Sequence, residues 1–340
     1  MRVLIVDDSP FIRRMISDWL KPEPDIEIVG QCKDGNEAVE MTKSLKPDVI
    51  TMDVEMPKRD GISALREIMQ ECPTAVLMVS SVTVEGAKLT MKALELGAVD
   101  FVTKPQGGSS LKFVEAKEEL ISKIRATKGV RLSPFKQPLA KVGQVRRNTD
   151  RVFVIASSTG GPKALASLWT ALPKDFPAPI LIVQHMPEGF TASLAQRLDS
   201  LGTVPCKEAT ERDKVTRGLA LLAPGGKHMT VDKDGKIVLD TRPSLHGVRP
   251  AADFLFETAS EVYGNKVVGA VLTGMGRDGA AGAVAIRNAG GFVVGESEET
   301  TAIYGMPKAA KEAGGIDAEF PLYEMAHALV SRLVGRSNVA

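Results

Sequence analysis

Short apolar runs recur along the first 105 residues: Val3 to Val6, Ile26 to Val29, Asp48 to Met52, Ala75 to Val79 and Val99 to Val102. Between them apolar residues return at helical spacing, as in Ile12, Met15, Ile16 and Trp19 and again in Ile62, Leu65, Ile68 and Met69. Each connecting helix can thus lay one apolar stripe on a sheet. Five strand–helix units of this kind predict a five-stranded, parallel, doubly wound sheet, closed by an amphipathic stretch from about Ser109 to Ile124. Periodicity then lapses. Residues 127–150 hold Pro134, Pro138 and Gly143 and carry six Lys/Arg against one Asp, a composition that suits a solvated connector or a docking segment. From Arg151 the rhythm resumes in Val152 to Ala156, Ile180 to Gln184, Lys236 to Leu239, Val267 to Leu272 and Phe292 to Val294. These runs predict a second, larger, doubly wound α/β domain with a mostly parallel sheet. Asp234-Gly235, between Met229 to Val231 and Ile237 to Leu239, is a hairpin signal that would add antiparallel strands to it. The expected division is residues 1–122, a linker over 123–150, and residues 151–340.

Charge narrows the partners. The 340 residues carry 43 Lys+Arg against 42 Asp+Glu, a net charge of +1, which sets up no long-range field for nucleic acid or an acidic membrane. Cys32, Cys72 and Cys206 stand far apart with no CxxC pair, against a disulfide framework or zinc ribbon. The apolar runs are strand-sized rather than the roughly 20 residues of a spanning helix, and the opening Met1 to Asp8 places acids where a secretory signal would stay apolar. The expectation is a reduced, cytoplasmic protein with no nucleic-acid partner and no membrane insertion.

Ligands of an open parallel sheet bind beyond the carboxyl ends of its strands, and in the first half those ends carry Asp7, Asp8, Asp53, Ser80 and Lys104. Converging carboxylates call for a hard cation, and Mg²⁺ takes one or two of them while keeping water and a phosphoryl oxygen. Asp53 is placed to attack a phosphoryl group, Lys104 to pair with the added charge and Ser80 to hydrogen-bond it. With Asp7-Asp8, Asp53-Val-Glu-Met-Pro57, Met78-Val-Ser-Ser81 and Phe101-Val-Thr-Lys-Pro105 in place, residues 1–120 resemble the receiver domains of bacterial response regulators. The resemblance implies a flavodoxin-like fold and phosphorylation of Asp53 by a histidine kinase. It also implies Mg²⁺ held by Asp8, Asp53 and the main-chain carbonyl of Glu55, with Asp7 acting through water. Phe101 matches the family's aromatic switch position, and is equally compatible with a plain core residue.

In the second half, Ile155-Ala-Ser157-Ser158-Thr-Gly160-Gly161-Pro162 runs from a strand through a serine-glycine turn into a helix. Such a turn can cap the helix, hold a phosphate or stabilise an oxyanion. All four histidines, His185, His228, His246 and His327, lie in this half. His185 ends an apolar run before Met186-Pro187 and shares a sheet edge with the serine turn, so it is the candidate base. His327 falls in the final helix pattern and reads as structural, while His228 and His246 are weaker candidates. A third strand opens into Thr273-Gly-Met275-Gly-Arg-Asp278-Gly279, where Asp278 can cap a helix or hold the Nδ1–H of His185 as that ring takes the proton of Ser158. Ser, His, Asp in chain order differs from the Ser, Asp, His of ordinary α/β-hydrolases.

These motifs make the half from about residue 150 similar to the catalytic domain of the chemotaxis protein-glutamate methylesterases. The resemblance aligns Ser158 with the family nucleophile, while Ser157 stands where alanine is usual. It implies His185 as base, Asp278 as orienting acid, and Thr159 and Met275 as neighbours of the oxyanion. Val248, before Arg249-Pro250, stands where the family commonly has histidine. The implied activity is hydrolysis of glutamate 5-O-methyl esters on methyl-accepting chemotaxis receptors, and deamidation of particular receptor glutamines. The resemblance further implies the chemotaxis kinase CheA as phosphodonor, no cofactor for the ester step, and an unphosphorylated receiver that covers the catalytic cleft. Two other readings remain at the level of sequence: a second half that binds nucleotide or DNA, and a hydrolase of small esters.

Overall fold

The computed structural model describes residues 1–105, 110–130 and 149–333. The chain divides into two compact units, Met1–Ser133 and Pro134–Ala340. Most of the expected linker, residues 131–148, and the tail from 334 lie outside the described residues.

In the first unit β1 (Arg2–Val6), α1 (Pro10–Leu20), β2 (Glu27–Cys32), α2 (Gly35–Leu45), β3 (Val49–Asp53), α3 (Gly61–Glu71), β4 (Ala75–Ser80), α4 (Val84–Leu96), β5 (Asp100–Thr103) and α5 (Ser110–Ala126) alternate. The last helix runs past residue 122, where the linker was expected. The strand order is β2-β1-β3-β4-β5 with every pairing parallel, the expected doubly wound sheet. Strands β3 and β4 are buried along their whole length, as helices on both faces of a parallel sheet require. Side chains stop the loops and start the helices: Ser9, Asp34, Asp60 and Thr83 each accept from a main-chain N–H in the first turn of α1, α2, α3 and α4, satisfying donors with no partner inside the helix. Ile5, Val49, Leu77 and Val102 meet Leu120 and Ile124 of α5 in one core.

The second unit contains β6 (Val152–Ser157), α6 (Gly161–Ala171), β7 (Ile180–Gln184), α7 (Phe190–Ser200), β8 (Cys206–Glu208), β9 (Ala220–Leu222), β10 (His228–Val231), β11 (Ile237–Asp240), α8 (Ala252–Tyr263), β12 (Val267–Val271), α9 (Ala280–Asn288), β13 (Phe292–Glu296), α10 (Met306–Glu312), β14 (Ala318–Phe320) and α11 (Leu322–Ser331). Seven strands pair in the order β14-β13-β12-β6-β7-β9-β8, all parallel. The Asp234-Gly235 hairpin forms, but β10 and β11 make a two-stranded sheet of their own rather than joining the main one. Their apolar side, Met229, Val231 and Ile237, packs with Leu255 and Phe256 of α8, so side chains dock the hairpin instead of a backbone ladder. The chain leaves central β6 toward β7 and later returns to its other side at β12. That reversal opens a crevice beyond the strand ends where ligands of such sheets bind.

Candidate phosphoryl site and candidate active site

At the carboxyl edge of the first sheet, oxygens of Asp7, Asp8 and Asp53 lie within 4.8 Å of one another. Lys104 reaches both buried acids, its Nζ 2.7 Å from Asp53 Oδ2 and 2.9 Å from Asp7 Oδ2. Burial first, and then the charge of Asp7, push the Asp53 carboxyl up to about 6, with Lys104 pulling the other way. Asp7 Oδ2 is inaccessible to solvent and has the Lys104 ammonium as its charged neighbour. Buried carboxylate oxygens of Asp7 and Asp53 converging with a third carboxylate, against a single lysine charge, fit a hard divalent cation such as Mg²⁺. The amide of Glu55 donates to Asp53 Oδ1 at 3.4 Å. Ser80 is not brought to Asp53: its hydroxyl accepts from Thr90 at 2.8 Å and donates to the carbonyl of Gly86 at 3.3 Å. Phe101 is buried, with Lys123 Nζ 5.4 Å from its ring centroid and bonded to its carbonyl at 2.6 Å.

In the second unit β6 delivers two hydroxyls to the crevice. Ser157 is fully buried and donates to Gln184 Oε1 at 2.7 Å, whereas Ser158 is partly exposed. Ser158 is pinned through its backbone: its N–H donates to the carbonyl of Thr273 (3.0 Å), and its carbonyl accepts from Gln184 Nε2 (2.9 Å) and from the N–H of Gly161 (2.7 Å). Close packing demands glycine at two places around it. A Cβ on Gly161 would lie 2.0 Å from Gln184 Oε1, and one on Gly274 would lie 2.7 Å from the Cβ of Ser158.

His185 follows β7 in register, its N–H donating to the carbonyl of Ser157 at 3.0 Å. Its Nε2 lies 2.7 Å from Asp278 Oδ2, both side chains being largely buried. The sequence reading gave Asp278 the Nδ1–H. The structure turns the ring round: Nε2 meets Asp278 Oδ2, which also accepts from the N–H of Ala252 (2.6 Å), while Oδ1 accepts from the N–H of Asp253 (3.0 Å) at the start of α8. Nδ1 is therefore the nitrogen left to take a proton. No hydrogen bond joins the Ser158 hydroxyl to His185 here, and such contacts commonly tighten only with substrate bound. Burial raises the Asp278 carboxyl, but the hydrogen bond and charge of His185 with the two amides outweigh it, so the group sits below the usual carboxylate range.

Thr159 is buried, and its carbonyl accepts from the Thr273 hydroxyl at 3.0 Å. Met275, partly buried, follows Gly274, whose carbonyl accepts from the N–H of Met306 at 2.9 Å. His228 is buried with both nitrogens engaged: Nδ1 accepts from the N–H of Ala251 (3.1 Å) and Nε2 donates to the carbonyl of Pro243 (3.2 Å). It braces a loop. His246 sits on Asp253, 3.1 Å away, and His327 is exposed on α11. Three residues to which the sequence assigned no role belong to this network: Gln184, Asp253, and Glu296, which is fully buried and accepts from the N–H of Thr273 at 2.9 Å. Only Gln184 carried a signal, as a polar residue closing the run Ile180 to Val183.

Comparison with known proteins follows the same division. A family described as CheB methylesterase matches residues 153–329, and one described as response regulator receiver domain matches residues 3–113. Relatives named protein-glutamate methylesterase/protein-glutamine glutaminase are 45% identical in Symbiobacterium thermophilum (98% of this chain and 97% of that one) and 46% identical in Thermotoga maritima (97% and 98%). The crystal structure of the Thermotoga maritima CheB methylesterase catalytic domain is 43% identical, covers 53% of this chain and 97% of its own, and superposes with a TM-score of 0.52.

Proposed function

The chain belongs to the CheB methylesterase family, with a receiver domain ahead of the catalytic one, and from that premise we propose that Ser158, His185 and Asp278 carry the reaction. The activity is that of a phosphorylation-regulated protein-glutamate methylesterase and protein-glutamine glutaminase acting on chemotaxis receptors. His185 Nδ1 takes the Ser158 proton as Oγ bonds to the γ-carbonyl carbon of a glutamate 5-O-methyl ester. The imidazolium, held by Asp278, returns that proton to the departing methoxide, which leaves as methanol. Water, losing a proton to His185, then cleaves the acyl-serine to free Ser158 and glutamate. With a glutamine side chain the leaving group is ammonia. Main-chain N–H groups about Thr159 and Met275 line the developing oxyanion, each well-aimed donor supplying on the order of 3 kcal/mol. The ester step draws on these groups alone and takes no cofactor.

In the first unit Asp7, Asp8, Asp53 and the Glu55 carbonyl would hold Mg²⁺, which when bound neutralises charge on a transferring phosphoryl group. Asp53 accepts that group, Lys104 pairs with it, and Ser80 turns from Gly86 and Thr90 to bond it. We assign CheA as the donor kinase and the cytoplasm as the location. Among the described residues no helix is long and apolar enough to cross a membrane.

The observation that carries the catalytic reading is the 2.7 Å contact of His185 with Asp278 beside the Ser158 turn. Methanol release from methylated receptor tests it. Ser158→Ala should lose at least ~10³-fold of the rate while Ser157→Ala stays within several-fold of the parent; release by Ser158→Ala at the parental rate removes the serine from the mechanism.

A further inference from the structure

Two helix N-termini meet behind Asp278. Asp278, just ahead of α9, accepts from the N–H groups of Ala252 and Asp253, which open α8. Asp253, in that first turn, returns the bond by accepting at 2.7 Å from the N–H of Gly282, in the first turn of α9. Each aspartate thus caps the other's helix, using donors that have no partner within their own helix. Each also holds one imidazole, His185 on Asp278 at 2.7 Å and His246 on Asp253 at 3.1 Å.

Ligand atoms of His246, Asp253 and Asp278 all lie within 4.8 Å of one another, and each aspartate side chain is only 2% exposed. Two carboxylates this close and this buried repel, so the arrangement persists only because helix N-termini and imidazoles face both of them. Burial first raises the Asp253 carboxyl and Asp278 adds to it, while the Gly282 amide and His246 act in the opposite direction. Glu257 also faces the pair from α8, and burial followed by Asp253 raises it in turn.

The segment bearing Asp278 cannot fix that side chain by itself. It runs through Gly276 and Gly279, with φ of 83° and 87°, and glycines do not anchor neighbours by packing. His246 holds φ at 55°, a conformation side chains rarely adopt, and from there contacts Asp253. We propose that Asp253 is a positioning residue for ester cleavage: through the reciprocal capping of α8 and α9 it fixes the carboxylate of Asp278, and His246 fixes Asp253. This rests on Asp278 being the orienting acid of His185.

Methanol release by the full-length phosphorylated protein gives the test, read as kcat and KM alongside circular dichroism and the downfield proton resonance of the His185 ring N–H. Asp253→Ala should lower kcat by roughly 10- to 100-fold with KM unchanged, the scale of a small misplacement of catalytic groups, and should weaken that resonance. Asp253→Asn keeps an oxygen for Gly282 and should recover kcat to within about threefold of the parent. His246→Asn suits a positive φ but is too short to reach Asp253; it should lower kcat several-fold in a protein that folds normally, and it carries the test if Asp253→Ala does not fold. Parental kcat in folded Asp253→Ala or in His246→Asn overturns the inference, as does an equal loss in Asp253→Ala and Asp253→Asn. Asp278→Asn run in parallel separates the two levels. If it keeps parental kcat, the triad reading itself falls; if it is inactive while the Asp253 and His246 variants match the parent, only the positioning role falls.

Discussion

Burial separates the two hydroxyls at the end of β6. Ser157 is fully buried and donates a hydrogen bond to Gln184 Oε1, and its replacement by alanine leaves that oxygen without a donor, at a cost of about 1–3 kcal/mol in stability. Ser158 meets the crevice. Glu296 shows how a buried acid can be tested by pH. Burial pushes its carboxyl up to about 7 from an ordinary 4.5, the Thr273 amide and Thr300 hydroxyl only partly opposing this. A folded value above the unfolded one means that its contribution is whole below about pH 4.5 and is lost as pH rises through about 7, on the order of 3 kcal/mol in all. Glu296→Gln keeps an oxygen for Thr273 and has no proton to lose. Its thermal midpoint should match the parent near pH 4.5 and exceed it by several degrees at pH 8; equal midpoints at both pH values would show that Glu296 ionises normally. These residues also mark the limit of sequence. His185 and Asp278 stand out because a histidine and an acid at strand ends are chemically conspicuous, whereas Asp253 and Glu296 act through amides 29 and 23 residues away. Which ring nitrogen meets Asp278 is set by tertiary contacts, and no local pattern encodes that.

Elements, rather than side chains alone, hold the proposed nucleophile. The Thr273 carbonyl, the side-chain amide of Gln184 at the end of β7 and the N–H of the first residue of α6 fix the Ser158 backbone at once, and Gly274 lets the β12 loop come that close. Gly274→Ala would place its methyl 2.3 Å from Met306 Sδ and 2.7 Å from Ser158 Cβ. The thioether can swing aside, but the pinned serine cannot. We expect kcat to fall at least ~10-fold together with a lower thermal midpoint; a kinetically normal variant would show that the turn has slack. At this scale the sequence served best where strands are long and covered on both faces, as in β3, β4, β6, β7 and β12, because a continuous apolar run is then the signature. It missed β8, β9 and β14, three residues each, which exist as strands through a neighbouring ladder rather than through any pattern of their own. The β10–β11 hairpin was visible from its turn, but whether it would join the main sheet was decided by α8.

Each unit carries its own hydrophobic core, and the two chemistries are correspondingly separable. A phosphoryl group turns the Asp53 carboxylate into an acyl phosphate of roughly two negative charges, a gain of about one, beside Lys104, whose amine already bridges Asp53 and Asp7, so it must redistribute the contacts of that lysine. Control of esterase rate by this event requires that the phosphoryl group favour one conformation of the first unit over another, since a ligand without differential affinity shifts no equilibrium. A small-molecule phosphodonor with Mg²⁺ should therefore raise methanol release by the full-length protein, and chelating the metal should abolish the rise. Asp53→Asn should show no increment under the same conditions. A fragment of residues 149–340 should release methanol at a rate indifferent to both phosphodonor and Mg²⁺, because the proposed triad uses neither. An increment that persists in Asp53→Asn would move the modification to another residue. An increment in the fragment would place a phosphoryl-sensitive group within the catalytic unit itself, where the reciprocal pair of helix N-termini behind Asp278 is the first place to look.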